Sequence, residues 1–329
     1  MISKDKLKHI IKLWEKGYAT RDISNITNLT YNIVLYHLKK NNCKPHGYFN
    51  NNSSIISNNF TFKNISPEKS FLLGVVFGDG HVSKNRITIY SGTKDKDILN
   101  NINKIFDNKL KIFRDYRNNG TYINIDKKKL CDEIRELYNL QSNKSKNMEF
   151  PKNISLSNMP FFISGYLAAD GSISCFNCSK QKKGLHFRLS FGSCSENFLI
   201  DLNEFIYNQT NIKGTITKRK AKNKNSNDFF VLCYNYSKAL NICDYIFNKT
   251  TKNLRCNRKY KKYITFKKHI DYTKNEIIRL NNLGYSIKQI KAIVHKHEVF
   301  IVSTIKGNSF YSRNYLLYNC YDKEKIHGS

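Results

Sequence analysis

Near the start of the chain, apolar residues recur at helical spacing. Ile23, Ile26, Ile33, Val34 and Leu38 suit the core of three short helices. Gly17 suits the position just past the first helix, and Thr20 and Thr30 can cap the second and third. The pattern returns without a gap at the other end, where Leu13 matches Leu280, Gly17-Tyr18 matches Gly284-Tyr285, Ile23 matches Ile290 and Leu38 matches Ile305. A constant offset marks a repeat. Between the two copies the period drops to two. Arg86, Thr88 and Tyr90 alternate with Ile87 and Ile89. His186, Arg188 and Ser190 alternate with Leu185, Phe187, Leu189 and Phe191. These strands have one apolar face for helices and one polar face left open.

A second repeat lies in the middle. "FLLGVVFGDGHVS", from Phe71, has a partner in "FISGYLAADGSIS", Phe162 to Ser174. Each is an apolar run interrupted by small residues and closed by Asp-Gly. Two strand-like stretches, a helix, two more strands and another helix follow each run, so each half reads αββαββα. The class is α+β. The expected boundaries are a helix-turn-helix module over 1–44, an Asn- and Ser-rich linker over 45–66, a first subdomain over 67–151, a second over 152–266, and a helix-turn-helix-like module over 267–329.

Charge narrows the function. The 329 residues carry 56 Lys and Arg against 25 Asp and Glu, a net +31. Such an excess calls for a polyanion, and basic residues interleaved with Tyr, Asn, Ser and Thr point to nucleic acid. Part of the lysine count fits an AT-rich coding bias. The apolar runs are too short to span a membrane. The polar N-terminus has no signal-peptide core, and scattered, odd-numbered cysteines suit a reducing, intracellular setting.

The paired motifs resemble those of the LAGLIDADG homing endonucleases in their monomeric, two-motif form. Leu72 to Gly80 and Ile163 to Gly171 match position by position, and "NKSKNMEFP" from Asn143 is a further family-like stretch. One Asp-Gly would more often be a plain turn; two copies with the same following elements reverse those odds. The resemblance covers roughly Pro67 to Tyr263. It implies two pseudo-symmetric subdomains forming a saddle of antiparallel sheets. It implies that Asp79 and Asp170, with Gly78 and Ala169 beside them, hold Mg²⁺, with Mn²⁺ able to substitute. It also implies a lysine from each half near the scissile phosphates. Lys144 takes that place in the first half, and Lys259 or Arg258 in the second; for either, a phosphate-clamping surface base is at least an equal reading. The partner implied is double-stranded DNA, bound by a monomer with no obligate protein partner.

Small residues four apart, Gly74 and Gly78 in one run and Gly165 and Ala169 in the other, read as the contact face between the motif helices. The polar strand faces read as base-contacting through Arg86, Thr88, Tyr90, His186, Arg188 and Ser190, with Arg219 in support. In the first terminal module the last helix, about Thr30 to Lys40, offers Tyr31, Asn32, Tyr36, His37 and Lys39 to a groove. Cys175 and Cys178 read as free thiols, His295 and His297 as solvated or phosphate-facing, and Trp14 as core. Two alternatives share the fold: an RNA-binding intron-splicing maturase, and a catalytically silent DNA-binding regulator.

Overall fold

The computed structural model describes residues 2–43, 56–115, 119–141, 147–177, 185–220 and 227–307. Three helices open the chain: α1 (Lys4–Glu15), α2 (Thr20–Thr27) and α3 (Tyr31–Lys40). Ile10, Leu13, Tyr18, Ile23, Val34, Leu38 and Cys43 form their core, with Trp14 and Ile26 packed at its margin. Ile33, expected inside, lies on the exposed side. Gly17 takes the left-handed backbone after α1, with φ +87°. The cap of α2 is Ala19 rather than Thr20, whose hydroxyl is buried without a partner. Thr30 does stand at the cap of α3, though its side chain makes no capping bond.

The first half follows as α4 (Pro67–Asp79), β1 (Gly80–Val82), β2 (Ile87–Gly92), α5 (Lys96–Ile105), β3 (Ile112–Asp115), β4 (Gly120–Ile125) and α6 (Lys128–Tyr138). The second half repeats it as α7 (Met159–Asp170), β5 (Gly171–Asn177), β6 (Leu185–Ser193), α8 (Glu196–Thr210), β7 (Thr215–Arg219), β8 (Phe229–Asn235) and α9 (Tyr236–Phe247). Each half holds a four-stranded sheet, ordered β1-β2-β4-β3 in the first and β5-β6-β8-β7 in the second. The first sheet is antiparallel, with Thr88 opposite Asn124 and Tyr90 opposite Tyr122. Ile87 and Ile89 are buried while Thr88 and Tyr90 face out; Phe187 and Leu189 are buried while Arg188 faces out.

The chain divides into two compact units. One is drawn from Met1–Ser172, Ser190–Cys233 and Asp244–Tyr260; the other from Ile173–Leu189, Tyr234–Cys243 and the chain from Lys261 on. In the first unit the opening helices rest against the outer strand β3. Tyr18 forms a parallel bridge with Arg114, whose guanidinium lies 5.6 Å from the Tyr18 ring centre. The Lys111 ammonium lies 5.3 Å from the Trp14 ring centre. In the second unit, α10 (Asn257–Asn282), α11 (Ile287–Val294) and α12 (Glu298–Ile305) pack around Ile277, Leu280, Ile290, Phe300 and Ile301.

The terminal repeat holds in the backbone too. Gly284 mirrors Gly17 with φ +80°. His295 takes the left-handed conformation that Asn28 takes, and His297 caps α12 where Thr30 stands before α3. The two histidines, read from sequence as solvated or phosphate-facing, thus end one helix and start the next. The boundary expected at 266/267 falls inside α10, which runs on unbroken.

The linker expectation also changes. Residues 44–55 lie outside the described residues, but 56–66 form a strap packed on α6. Phe62 is buried, and its N–H donates to Glu133 Oε2 at 2.7 Å, while Thr61 Oγ1 donates to Glu133 Oε1 at 2.7 Å. Tyr138 Oη donates to the Phe62 carbonyl at 3.1 Å. Asn and Ser runs are loop-like in composition, and only Ile56 and Phe62 signalled an anchor. Glu133→Ala strands the buried Phe62 amide and a half-buried hydroxyl, so it should destabilise the chain by about 1–3 kcal/mol, read as a lower urea midpoint.

Candidate active site

Helices α4 and α7 carry the two motifs and are buried along almost their whole length, so neither has a polar side. A helix apolar all round belongs in an interior. The close approach rests on missing side chains. A Cβ on Gly74 would overlap the Phe162 carbonyl and come within 2.7 Å of the Tyr166 amide nitrogen. A Cβ on Gly165 would overlap the Phe71 carbonyl in the mirror-image way. Farther along, Gly78 faces Ala169, and a Cβ there would lie 3.4 Å from the carboxyl carbon of Asp170. The helices therefore lie side by side from their middles to their C-terminal ends, where Asp79 and Asp170 are both exposed. The expected contact residues Gly74, Gly78, Gly165 and Ala169 are the ones brought together.

The electrostatics of this end suit a cation. Two carboxylates stand at the C-terminal, negative poles of two helices. The donors are hard oxygens, the kind that Mg²⁺ or Mn²⁺ takes, so Asp79 and Asp170 with the adjoining carbonyls of Gly78 and Ala169 fit the ion the motifs imply. Nearby, Tyr166 is fully buried and its hydroxyl donates to the Gly192 carbonyl at 2.6 Å. Burial first, then the negative charge of Asp170, raises its pKa well above the ordinary tyrosine value. It stays protonated and takes no general-base role.

Of the lysines expected at the scissile phosphates, Lys144 lies outside the described residues. Lys259 is described and is 4% exposed. Its ammonium donates to the carbonyls of Leu167 at 2.8 Å, Ala168 at 2.6 Å and Ala169 at 3.4 Å. It thus closes the C-terminal end of α7, and desolvation holds its pKa below the usual lysine value. The surface phosphate clamp weighed for Lys259 is set aside by that burial. Arg258, the other candidate, pairs with Asp95.

The outward strand positions are arranged as expected, with partners the alternation alone could not show. Arg86 pairs with Asp126. Thr88 donates to Asn124 at 2.9 Å, and the Tyr90 ring lies 5.3 Å from that of Tyr122. His186 stacks on Phe176, centroids 5.5 Å apart, and also meets Tyr236, while Arg188 donates to Asn235 at 3.0 Å. Ser190 is half-buried and Arg219 is exposed at the end of β7. On α3, Tyr31, Asn32 and Lys39 are exposed and His37 is half-buried. Cys175 is half-buried, and burial pushes its thiol up; Cys178 lies outside the described residues.

One cluster escaped the sequence reading. Asp95, Asp97 and Cys256 bring ligand-type atoms within 4.8 Å of one another. Asp95 offers both oxygens to Arg258, Asp97 accepts from the Asn257 N–H at 2.8 Å, and burial pushes the Cys256 thiol up to about 11. With Asp95 paired to Arg258 and Asp97 to the Asn257 amide, the cluster fastens the segment before α10 to the start of α5. A signal for it did exist: Gly92-Thr93-Lys94-Asp95 recurs as Gly192-Ser193-Cys194-Ser195.

Two αββαββα halves joined through paired Asp-Gly helices are the architecture that the LAGLIDADG-like motifs imply. No protein-family model and no curated protein matches the chain. Among solved structures it is similar to the I-LtrWI LAGLIDADG homing endonuclease bound to target DNA, with 18% identity, 71% of this chain and 98% of that chain covered, and a TM-score of 0.43. It is similar to the I-SmaMI LAGLIDADG homing endonuclease bound to cleaved DNA at 13% identity, over 70% and 96% of the two chains, with a TM-score of 0.40. A mesophilic variant of the homing endonuclease I-DmoI matches at 15% identity, over 55% and 96%, with a TM-score of 0.38. The resemblance rests on the motifs and element order rather than on these superpositions.

Proposed function

We propose that this chain is a LAGLIDADG homing endonuclease, a site-specific enzyme that makes a double-strand break in a long DNA target. The observation that carries this reading is the glycine contact between α4 and α7, which sets Asp170 against Gly78 and so beside Asp79. Asp79 and Asp170, with Gly78 and Ala169, would hold Mg²⁺ or Mn²⁺, which would supply a nucleophilic water and charge stabilisation for the leaving oxygen. The chain's own groups do the rest. The two carboxylates orient that centre, one from each half, so two strands are cut by one monomer. Lys259 keeps the α7 end in place. The outward faces of the sheets and α3 read bases, while the many other lysines grip phosphates and make binding fall steeply with salt.

The test is a supercoiled plasmid carrying the genomic sequence that flanks this gene, incubated with the protein and Mg²⁺. Linear product at one position is expected, with none after chelation by EDTA. Retained binding without cleavage under Mg²⁺ or Mn²⁺ would replace the enzyme with a silent regulator. Preferential binding to an intron transcript would favour the maturase.

A further inference from the structure

We infer that Asp95 is a positioning residue: it sets the place of Lys259, and through Lys259 the end of α7 that carries Asp170, so that a turn of the first half governs the acid of the second. This rests on the reading of Asp79 and Asp170 as the cutting acids.

The geometry forms an unbroken series of contacts. Asp95 ends a single 3-10 turn, Thr93–Asp95, just before α5. Its carboxylate accepts from Arg258 Nε at 2.6 Å and from the second guanidinium nitrogen at 2.7 Å. Such a two-pronged pair fixes direction as well as distance. The Cys256 thiol donates to the same carboxylate at 3.4 Å. Asp97 takes the Asn257 N–H, one of the amides that the first turn of α10 leaves without a helical acceptor. Asn101 donates to the carbonyls of Arg255 at 3.3 Å and Lys252 at 3.5 Å. The whole segment entering α10 is thus pinned to the start of α5. Lys259 is the next residue, and its three acceptors are the last carbonyls before Asp170.

A comparison within the molecule shows that Asp95 is turned away from its ordinary local task. At the equivalent place in the second half, Ser195 caps its own helix by accepting the Phe198 N–H, and donates to the Met148 carbonyl at 2.7 Å. Asp95 occupies the cap position of α5 and makes no side-chain cap bond. A carboxylate at a helix start that leaves the helix amides to themselves has another partner to satisfy, and here it is Arg258.

The experiment uses the full chain and the variants Asp95→Asn and Arg258→Lys. Amine modification of Lys259, followed by mass spectrometry, reads its shielding independently of any cleavage. In the wild type Lys259 is protected; in Asp95→Asn modification should be about tenfold faster or more, because local opening now exposes it. Arg258→Lys keeps the charge but not the two-pronged geometry, so it should fall between the two. On supercoiled target plasmid, Asp95→Asn should accumulate nicked circles, since one cut slows more than the other. Unchanged protection of Lys259 overturns the inference, as does equal slowing of both cuts. So does a Glu133→Ala variant of equal urea midpoint that exposes Lys259 just as much, since the effect would then be general loosening. If the wild type cuts nothing while Asp95→Asn still unshields Lys259, the endonuclease reading fails and the positioning contact stands.

Discussion

Asp170→Asn should leave a folded protein that still binds its DNA target but no longer breaks both strands. The side chain is exposed, and Asn keeps its shape, so folding loses little. What disappears is one of the two formal negative charges at the helix ends, and with it half of the proposed hold on a divalent cation. Removing a single group that acts on developing charge typically costs roughly a hundred- to a thousandfold in rate. In the proposed mechanism double-strand cleavage draws on both acids, so the loss should reach roughly a thousandfold, and Asp79→Asn should match it. Supercoiled plasmid would remain supercoiled or accumulate as nicked circles, and a gel-shift titration would show binding within a factor of a few of wild type. Linear product formed at the wild-type rate by either variant would remove these carboxylates from the chemistry.

The second large effect sets two forces against each other at one residue. By helix propensity alone, Gly165→Ala should gain about 1 kcal/mol. By contact, it should lose. The new Cβ would overlap the Phe71 carbonyl and sit 3.0 Å from the Val75 amide nitrogen. Both are backbone atoms of a neighbouring helix, so no side-chain rotation can make room. The helices must separate, loosening Phe71, Val75, Phe162 and Tyr166, which are all buried. Overpacking of this kind costs about 1–3 kcal/mol, and more where backbone must move. We expect a net loss near 2 kcal/mol or above, and a larger one for Gly165→Val. Gly74→Ala should behave alike, since its clash with the Phe162 carbonyl is the mirror image. Urea denaturation measures this directly, and a rise in midpoint for Gly165→Ala would mean that the glycines are not the contact.

Much of the architecture could be read in advance because it is written in periods. Alternation over Ile87–Gly92 and over Leu185–Ser193 named the buried faces, and the small residues at 74, 78, 165 and 169 named the seam. Periodicity reports which side of an element is buried; it does not report which distant element covers it. For that reason the strap at 56–66 read as a linker, although Phe62 is held by Glu133, 71 residues away. Lys259 was named by likeness to a family position, but its burial was not legible, since a lysine in a basic run reads as surface. The pairing of Arg86 with Asp126 was hidden for the same reason: each is ordinary alone, and only the fold makes them neighbours.

One outer strand of each sheet, β3 in the first and β7 in the second, is guarded differently, and that bears on how the protein behaves when concentrated. A strand at the rim of a sheet presents unpaired backbone groups to any other chain that can add to it. At β3 the opening helices lie across the rim, and Tyr18 completes a rung with Arg114. At β7 the strand runs Thr215 to Arg219, is exposed at nearly every position, and is flanked by Lys213 and Lys220 with Lys218 and Arg219 on the strand itself. Charge guards one rim and a folded cover guards the other. The first defence weakens as salt screens it; the second does not. Aggregation, where it occurs, should therefore begin at high ionic strength and along β7, and loss of the opening helices would give the chain a second sticky margin at β3.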